Sequence, residues 1–276
     1  MKSYSRVISK LFYEPALITP QRHAALCLML DARLSSARVH DDNPDLEGDD
    51  APEHPEIEPR MVSDTVIIPV HGTLVAHPED IAMSECGCAM ESLNEAIDLA
   101  ERDPAITTVI YDFRTPGGTV TLIPETGNKI YNSRKKTIAF TDSECCSGGI
   151  WLAAQCQRFY ATQSSRVGSV GVYTLSMDYT KALKMEGVQI NAVSAGKYKL
   201  LGAYWKPLAD DERAIMQKRV DKIYAQFKDA MESHRVVQDE NFGNGLVFDG
   251  DEAAEIGFTD GVVESLEDVL EMASSE

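Results

Sequence analysis

Ser147 lies in the run Asp142-Ser143-Glu144-Cys145-Cys146-Ser147-Gly148-Gly149-Ile150-Trp151, and no histidine follows it until His234. A serine hydroxyl is a weak nucleophile until a neighbouring base takes its proton. Placed where an extended run gives way to a helix, Ser147 reads either as such a nucleophile or as a helix N-cap. The six histidines are His23, His40, His54, His71, His77 and His234; three precede the region that carries the strands and helices, and two leave its first strand. Serine triads assemble from any chain order, so a histidine base stays open. A lysine serves instead if it is neutral, which requires bringing its pKa down from about 10.4 by burial or by nearby positive charge. The segment Ala195-Gly196-Lys197-Tyr198-Lys199 offers two lysines, and both also read as ordinary surface residues. If the segment is extended they point to the same face, so spacing does not choose between them.

Acyl transfer also needs donors aimed at the developing oxyanion, commonly backbone N–H groups. Glycine allows close backbone approach, which makes Pro116-Gly117-Gly118 and Ser147-Gly148-Gly149 suitable suppliers. Alone, the first is a turn and the second a helix cap. Their placement one helix and one strand apart favours the functional reading. Cys86-Gly87-Cys88 has no second Cys/His pair at ligand spacing, so neither a metal site nor a cofactor is expected.

These residues must be positioned by a scaffold, and its elements are readable. Thr65–Val70 reads as a buried strand, and Met90, Leu93, Ile97 and Ala100 mark one face of a helix. A strand over Ile106–Asp112, a helix over Pro124–Ser133 and a strand over Thr137–Thr141 follow, then a helix from Ser147 to Cys156. Such alternation predicts an α/β fold with a mainly parallel sheet flanked by helices. Sites on such sheets lie beyond the carboxyl ends of strands, where both Gly118 and Ser147 fall. Further on come the glycine-punctuated Val167–Val172, a strand over Val188–Ser194, and a long amphipathic helix with Met216, Val220, Ile223, Phe227 and Met231 at helical spacing, read as core or oligomer contacts.

Residues 61–276 are read as the catalytic domain. Residues 1–39 form an appendage or docking element with a helical stretch at Ala24–Leu30, and the Asp/Glu/Pro-rich 40–60 reads as a disordered acidic linker. At 276 residues with a formal charge of −18 and a pI near 4.7, the surface repels nucleic acid and anionic membrane. No window is apolar enough to span a bilayer, and the N-terminus lacks the apolar core of a signal peptide, so no membrane anchor and a cytoplasmic location are expected. The six cysteines then read as reduced thiols.

The strand Asp64–Leu74, Pro116-Gly117-Gly118, Ser147–Ala153, Val167–Val172, Gly196-Lys197-Tyr198-Lys199 and the tail from Phe248-Asp249-Gly250 to Asp260-Gly261 together resemble signal peptide peptidase A and its phage relatives, the capsid assembly protease C group. The resemblance spans about residues 64 to 265. It implies a Clp protease/crotonase-like fold and serine endopeptidase activity through a Ser-Lys dyad. By motif, Ser147 is the implied nucleophile, Lys199 the base with Lys197 as the fallback, and Ser169 a hydroxyl that orients the lysine. Gly118 and Gly148 are the implied oxyanion donors, and Gly117 and Gly149 line the substrate. Homo-oligomers are expected by resemblance only.

This chain departs from the pattern at Cys145-Cys146, where small residues are usual, and at Arg114-Thr115, where Asn-Ser is usual. The leader Phe12–Pro20 is similar to that of phage-type members, which points to processing of scaffold or capsid proteins during head maturation, in the host cytoplasm or prohead. The rival readings are a soluble signal-peptide-degrading or quality-control peptidase, an inactive assembly component, and an acyl-CoA enzyme of the same fold.

Overall fold

The computed structural model describes residues 14–28, 57–80, 87–237 and 242–275. His40, His54, Cys86 and nearly all of the acidic linker lie outside them. The first described strand, β1 (Ala16–Ile18), is followed by a helix over residues 20–28. Then come β2 (Arg60–Val62), β3 (Thr65–His71), β4 (Thr73–Val75), β5 (Gly87–Ala89), the helix Met90–Arg102, β6 (Thr108–Arg114), β7 (Gly117–Thr119), the helix Ile123–Tyr131, β8 (Lys136–Thr141) and β9 (Glu144–Cys146). The helix Gly148–Ala153, β10 (Arg158–Ala161), β11 (Arg166–Gly168), the helices Thr180–Met185 and Asp210–Glu232, β12 (Val247–Asp249), the helix Gly250–Glu255, β13 (Gly261–Val262) and the helix Leu266–Ser275 complete the order.

A six-stranded sheet in the order β13-β10-β8-β6-β3-β2 forms the body, parallel throughout except for β2 at its edge. Its central strands are apolar on both faces because both faces are covered. Along β3, Val66, Ile68 and Val70 enter one core while Ile67 enters the other; along β6, Val109, Tyr111 and Phe113 oppose Ile110 in the same way. Helix Met90–Arg102 buries Met90, Leu93, Ile97 and Ala100, as its spacing predicts. The C-terminal helix covers the opposite face through Val269. The α/β architecture expected from the alternation is the one observed.

Three central strands do not stop at the sheet. β3 runs through Gly72 into β4, β6 through Thr115-Pro116 into β7, and β8 through Asp142-Ser143 into β9. The short continuations pair into two smaller sheets, β1-β7-β4-β5 and β12-β11-β9, beyond the carboxyl ends of the large one. Residues 14–28 pack on this body: β1 pairs antiparallel with β7, and Leu17 is wholly buried in the main core.

One predicted element is absent. Residues 188–194 form no strand; they follow the short Thr180–Met185 helix as irregular, exposed chain, with Val193 fully exposed. Apolar-polar alternation makes a strand only where a neighbouring edge accepts its backbone bonds, and none among the described residues pairs with it. The strand read over Ile106–Asp112 begins two residues later, at Thr108.

The long helix buries Ile223, Phe227 and Met231, while Met216 and Val220 are only half-buried. Its attachment centres on Phe227, which stacks on Trp151 of the helix after Ser147 with ring centroids 4.7 Å apart. Gln155 reinforces the contact by donating from Nε2 to the carbonyl of Ala230. Phe227→Ala should therefore destabilise the fold by about 3–5 kcal/mol, as a buried aromatic truncation does, measured by chemical denaturation, whereas Met216→Ala should cost under about 1 kcal/mol.

Candidate active site

Thr115 holds the place where β3, β6 and β8 leave the sheet. Its N–H donates to Glu144 O at 2.7 Å, and its carbonyl accepts from Cys146 N at 3.0 Å. Its hydroxyl donates to Gly72 O at 2.6 Å and accepts from Gly117 N at 3.1 Å. One buried residue thus ties together the exits of three strands. The sequence marked Thr115 only as a departure from a motif; a threonine between a charged residue and a proline carries no signal of this role.

The glycines follow from the crowding this produces. A Cβ on Gly118 would lie 1.8 Å from Leu74 O, one on Gly117 2.0 Å from Leu17 O, and one on Gly149 2.5 Å from Thr115 Cγ2. Gly117 also has φ of +96°. Gly148 has more room, its nearest neighbours being Leu74 Cδ1 at 3.3 Å and Leu17 O at 3.4 Å. Gly117 thus abuts Leu17, Gly118 abuts Leu74, and Gly148 meets both.

Ser147 sits at the strand-to-helix turn with φ of 53° and ψ of −115°. A non-glycine residue in such a sparsely populated conformation costs on the order of 1–3 kcal/mol and persists only where its surroundings over-determine it. Here Ser147 N–H donates to Gly168 O at 2.8 Å, and Ser147 O accepts from Trp151 N at 3.1 Å. The side chain makes no helix-capping hydrogen bond. Ser169 also has a positive φ, 59°, and its N–H donates to Leu246 O at 2.6 Å. The two serines are neighbours by register. β9 and β11 run parallel with Cys146 opposite Gly168, so Ser147 and Ser169 are the next residues off adjacent strand ends. Both are buried, at 1% and 6% exposure.

Both candidate lysines are exposed. Lys199 is exposed, and its backbone N–H closes a turn onto Gly196 O. Lys197 pairs with Asp211 at 2.9 Å. Hydrogen bonding to Tyr198 and then to Asp211 pushes the Lys197 ammonium pKa up, which opposes a role as base in this arrangement. The described histidines are engaged with other groups. His71 Nε2 meets Asp112 at 3.0 Å, His77 Nδ1 meets Glu91 at 2.8 Å, His23 Nδ1 meets the Tyr173 hydroxyl at 2.5 Å, and His234 packs edge-on against Tyr131.

Cys145 and Cys146 are buried beside the serine turn. Burial, with Glu144 adding to it, pushes the Cys146 thiol up to about 12. Burial raises Cys145 likewise. Both are thiols rather than thiolates near neutral pH, which makes them poor nucleophiles. Cys88 is buried in β5, and no group of three or more His, Cys, Asp or Glu among the described residues could hold a metal ion.

Residues 129–276 match the family model described as Peptidase family S49. The chain is 28% identical over 234 residues to capsid assembly protease C of Escherichia phage lambda, covering 82% of this chain and 53% of that one. It is 26% identical to head-tail preconnector protein GP5 of Enterobacteria phage P21, covering 99% of this chain and 58% of that one. The chain thus spans a little over half the length of these relatives. The solved structure of a serine-to-alanine mutant of the membrane-bound stomatin-specific protease 1510-N superposes with a TM-score of 0.43 at 14% identity, over 74% of this chain and 81% of that one.

Thr115→Val keeps the shape and removes the hydroxyl, leaving Gly72 O and Gly117 N–H without their partner. A loss of about 1–3 kcal/mol in unfolding free energy is expected, with Thr115→Ser close to the parent, both read by urea denaturation.

Proposed function

The chain belongs to peptidase family S49, and we propose accordingly that it is a serine endopeptidase with Ser147 as nucleophile. The observation that carries this reading is the register of β9 and β11, which sets a strained, buried Ser147 beside Ser169. Attack of Ser147 Oγ on a peptide carbonyl forms a tetrahedral intermediate and releases the hydroxyl proton to the base. The N–H groups of Gly118 and Gly148 stabilise the oxyanion, while Gly117 and Gly149 let the substrate backbone approach. Collapse expels the amine, which takes the proton from the base, and water then hydrolyses the acyl-enzyme.

Lys199 is the proposed base, with the Ser169 hydroxyl orienting its amine. A lysine acts as a base only when it is neutral, and burial favours the neutral form. In the single chain Lys199 is exposed, within a stretch that also exposes Leu175, Tyr179, Met185, Val188, Val193 and Tyr198. Such a run of exposed large apolar residues marks an interaction surface. A second copy of the chain covering it would desolvate Lys199 and bring it to Ser147, so the active form is a homo-oligomer.

The proposed substrates are phage scaffold or capsid proteins cleaved in the prohead or host cytoplasm. Support comes from the names of the two phage relatives, one a capsid assembly protease and the other a head-tail preconnector protein.

Ser147→Ala and Lys199→Met should each lower cleavage of a co-expressed scaffold protein by roughly 10⁴-fold or more, with Lys197→Met much milder. Products are read by mass spectrometry. Turnover by Ser147→Ala would overturn the nucleophile, and exchanged lysine phenotypes would move the base to Lys197. Specific activity should also rise with protein concentration, in step with the oligomer seen by sedimentation.

A further inference from the structure

The strand β1 lies where an extended peptide would have to lie to meet the glycines of β7. It pairs antiparallel with β7, Leu17 opposite Gly118, and on its other side Ala16 bridges Tyr173, with Ala16 N–H donating to Tyr173 O at 2.8 Å. A strand held by backbone bonds, with its side chains in pockets, is how sheet edges bind peptides. Thr19 N–H donates to Pro116 O at 3.1 Å. Antiparallel pairs alternate between those that exchange backbone bonds and those that do not, so Leu17 and Gly118 form an exchanging pair. The Leu17 carbonyl thereby takes the N–H of Gly118, and it also lies 3.4 Å from where a Cβ of Gly148 would stand. These are the two glycines assigned to the oxyanion. Ala16, Leu17, Ile18 and Thr19 are all buried, and Ser147 is 1% exposed. β1 and Ser147 are thus buried together, with Leu17 against the residue that follows the serine.

We propose that Ala16–Ile18 is the chain's own occupant of its peptide groove, a strand laid across Gly117 and Gly118 that keeps Ser147 closed until an extended aliphatic peptide replaces it. The meaning of the groove rests on the peptidase reading above; its occupancy is a matter of binding and is tested separately. The residue offering its carbonyl is Leu17, so the replacing peptide carries a leucine-like side chain at that position. Ala16 and Ile18, clustered with Leu26 and Tyr173, set small and aliphatic preferences on either side.

A site for a specific protease inserted between residues 40 and 56 lets the full chain be cut and freed of its N-terminal fragment. Binding of a fluorescent Glu-Pro-Ala-Leu-Ile-Thr peptide is then followed by anisotropy in the Ser147→Ala background. The cut chain should bind at least about tenfold more tightly than the intact one, because the tethered strand competes at high effective concentration. Leu17→Asp in the uncut chain, which places a charge in the apolar pocket, should give a similar gain and covers the case in which the cut chain does not fold. Equal binding by intact and opened chains, or none by either, overturns the proposal. A fluorophosphonate labelling rate, measured in parallel with Ser147 present, separates the two readings. Gained binding without labelling removes the nucleophile and leaves the groove occupant standing, whereas labelling at equal rates in intact and opened chains does the reverse.

Discussion

The arrangement depends on the four backbone and hydroxyl bonds of Thr115. They hold Gly72, Gly117, Glu144 and Cys146 at fixed separations and so decide where β4, β7 and β9 begin. Three strands that leave one sheet for two smaller ones would otherwise have unpaired backbone groups in a buried place. A residue with a branched side chain and one hydroxyl can satisfy a donor and an acceptor at once while packing its methyl against Gly149. Backbone then packs on backbone so closely that glycine is the only residue that fits at 117 and 118. The same closeness that forbids a side chain lets β1 lie directly against these two glycines.

Backbone strain at the site is concentrated in two serines. Ser147 and Ser169 both hold a positive φ without being glycine, and each is fixed by an N–H bond to a neighbouring element rather than by its own local preference. Gly168 makes the second turn possible: its φ of +138° brings Leu246 O within 2.5 Å of a would-be Cβ, and β12 closes against β11 there. Two strained turns side by side, each held from outside, make a rigid place for hydroxyls whose positions matter. Buried thiols beside them add volume without adding reactivity.

The segment that carries the lysines has the opposite character. From Leu175 to Tyr204 it exposes large apolar side chains, and its ring contacts are local ones such as Tyr204 against Tyr179 and Trp205. The serine half of the proposed site is built by the fold of one chain, whereas the lysines proposed for the other half lie on its exposed surface. β1, meanwhile, lies along Gly117 and Gly118 and buries Leu17 there.

Period-two and period-3.6 patterns place β3, β6, β8 and the helix Met90–Arg102 without coordinates, because those elements bury faces whose spacing is a local property of the chain. The strand-to-helix turn at Ser147 and the position of Gly118 beyond a strand end follow from the same pattern. The expected strand over 188–194 does not form, since alternation encodes a willingness to pair and says nothing about whether an edge is within reach. Local patterning therefore settles the order of elements and the residue types able to do acyl-transfer chemistry. Only the folded arrangement makes Ser147 and Ser169 neighbours, ties three strand exits to Thr115, leaves Lys199 in solvent and lays Leu17 on Gly118. Each of these rests on register and on contacts between residues far apart in the chain, which no local pattern specifies.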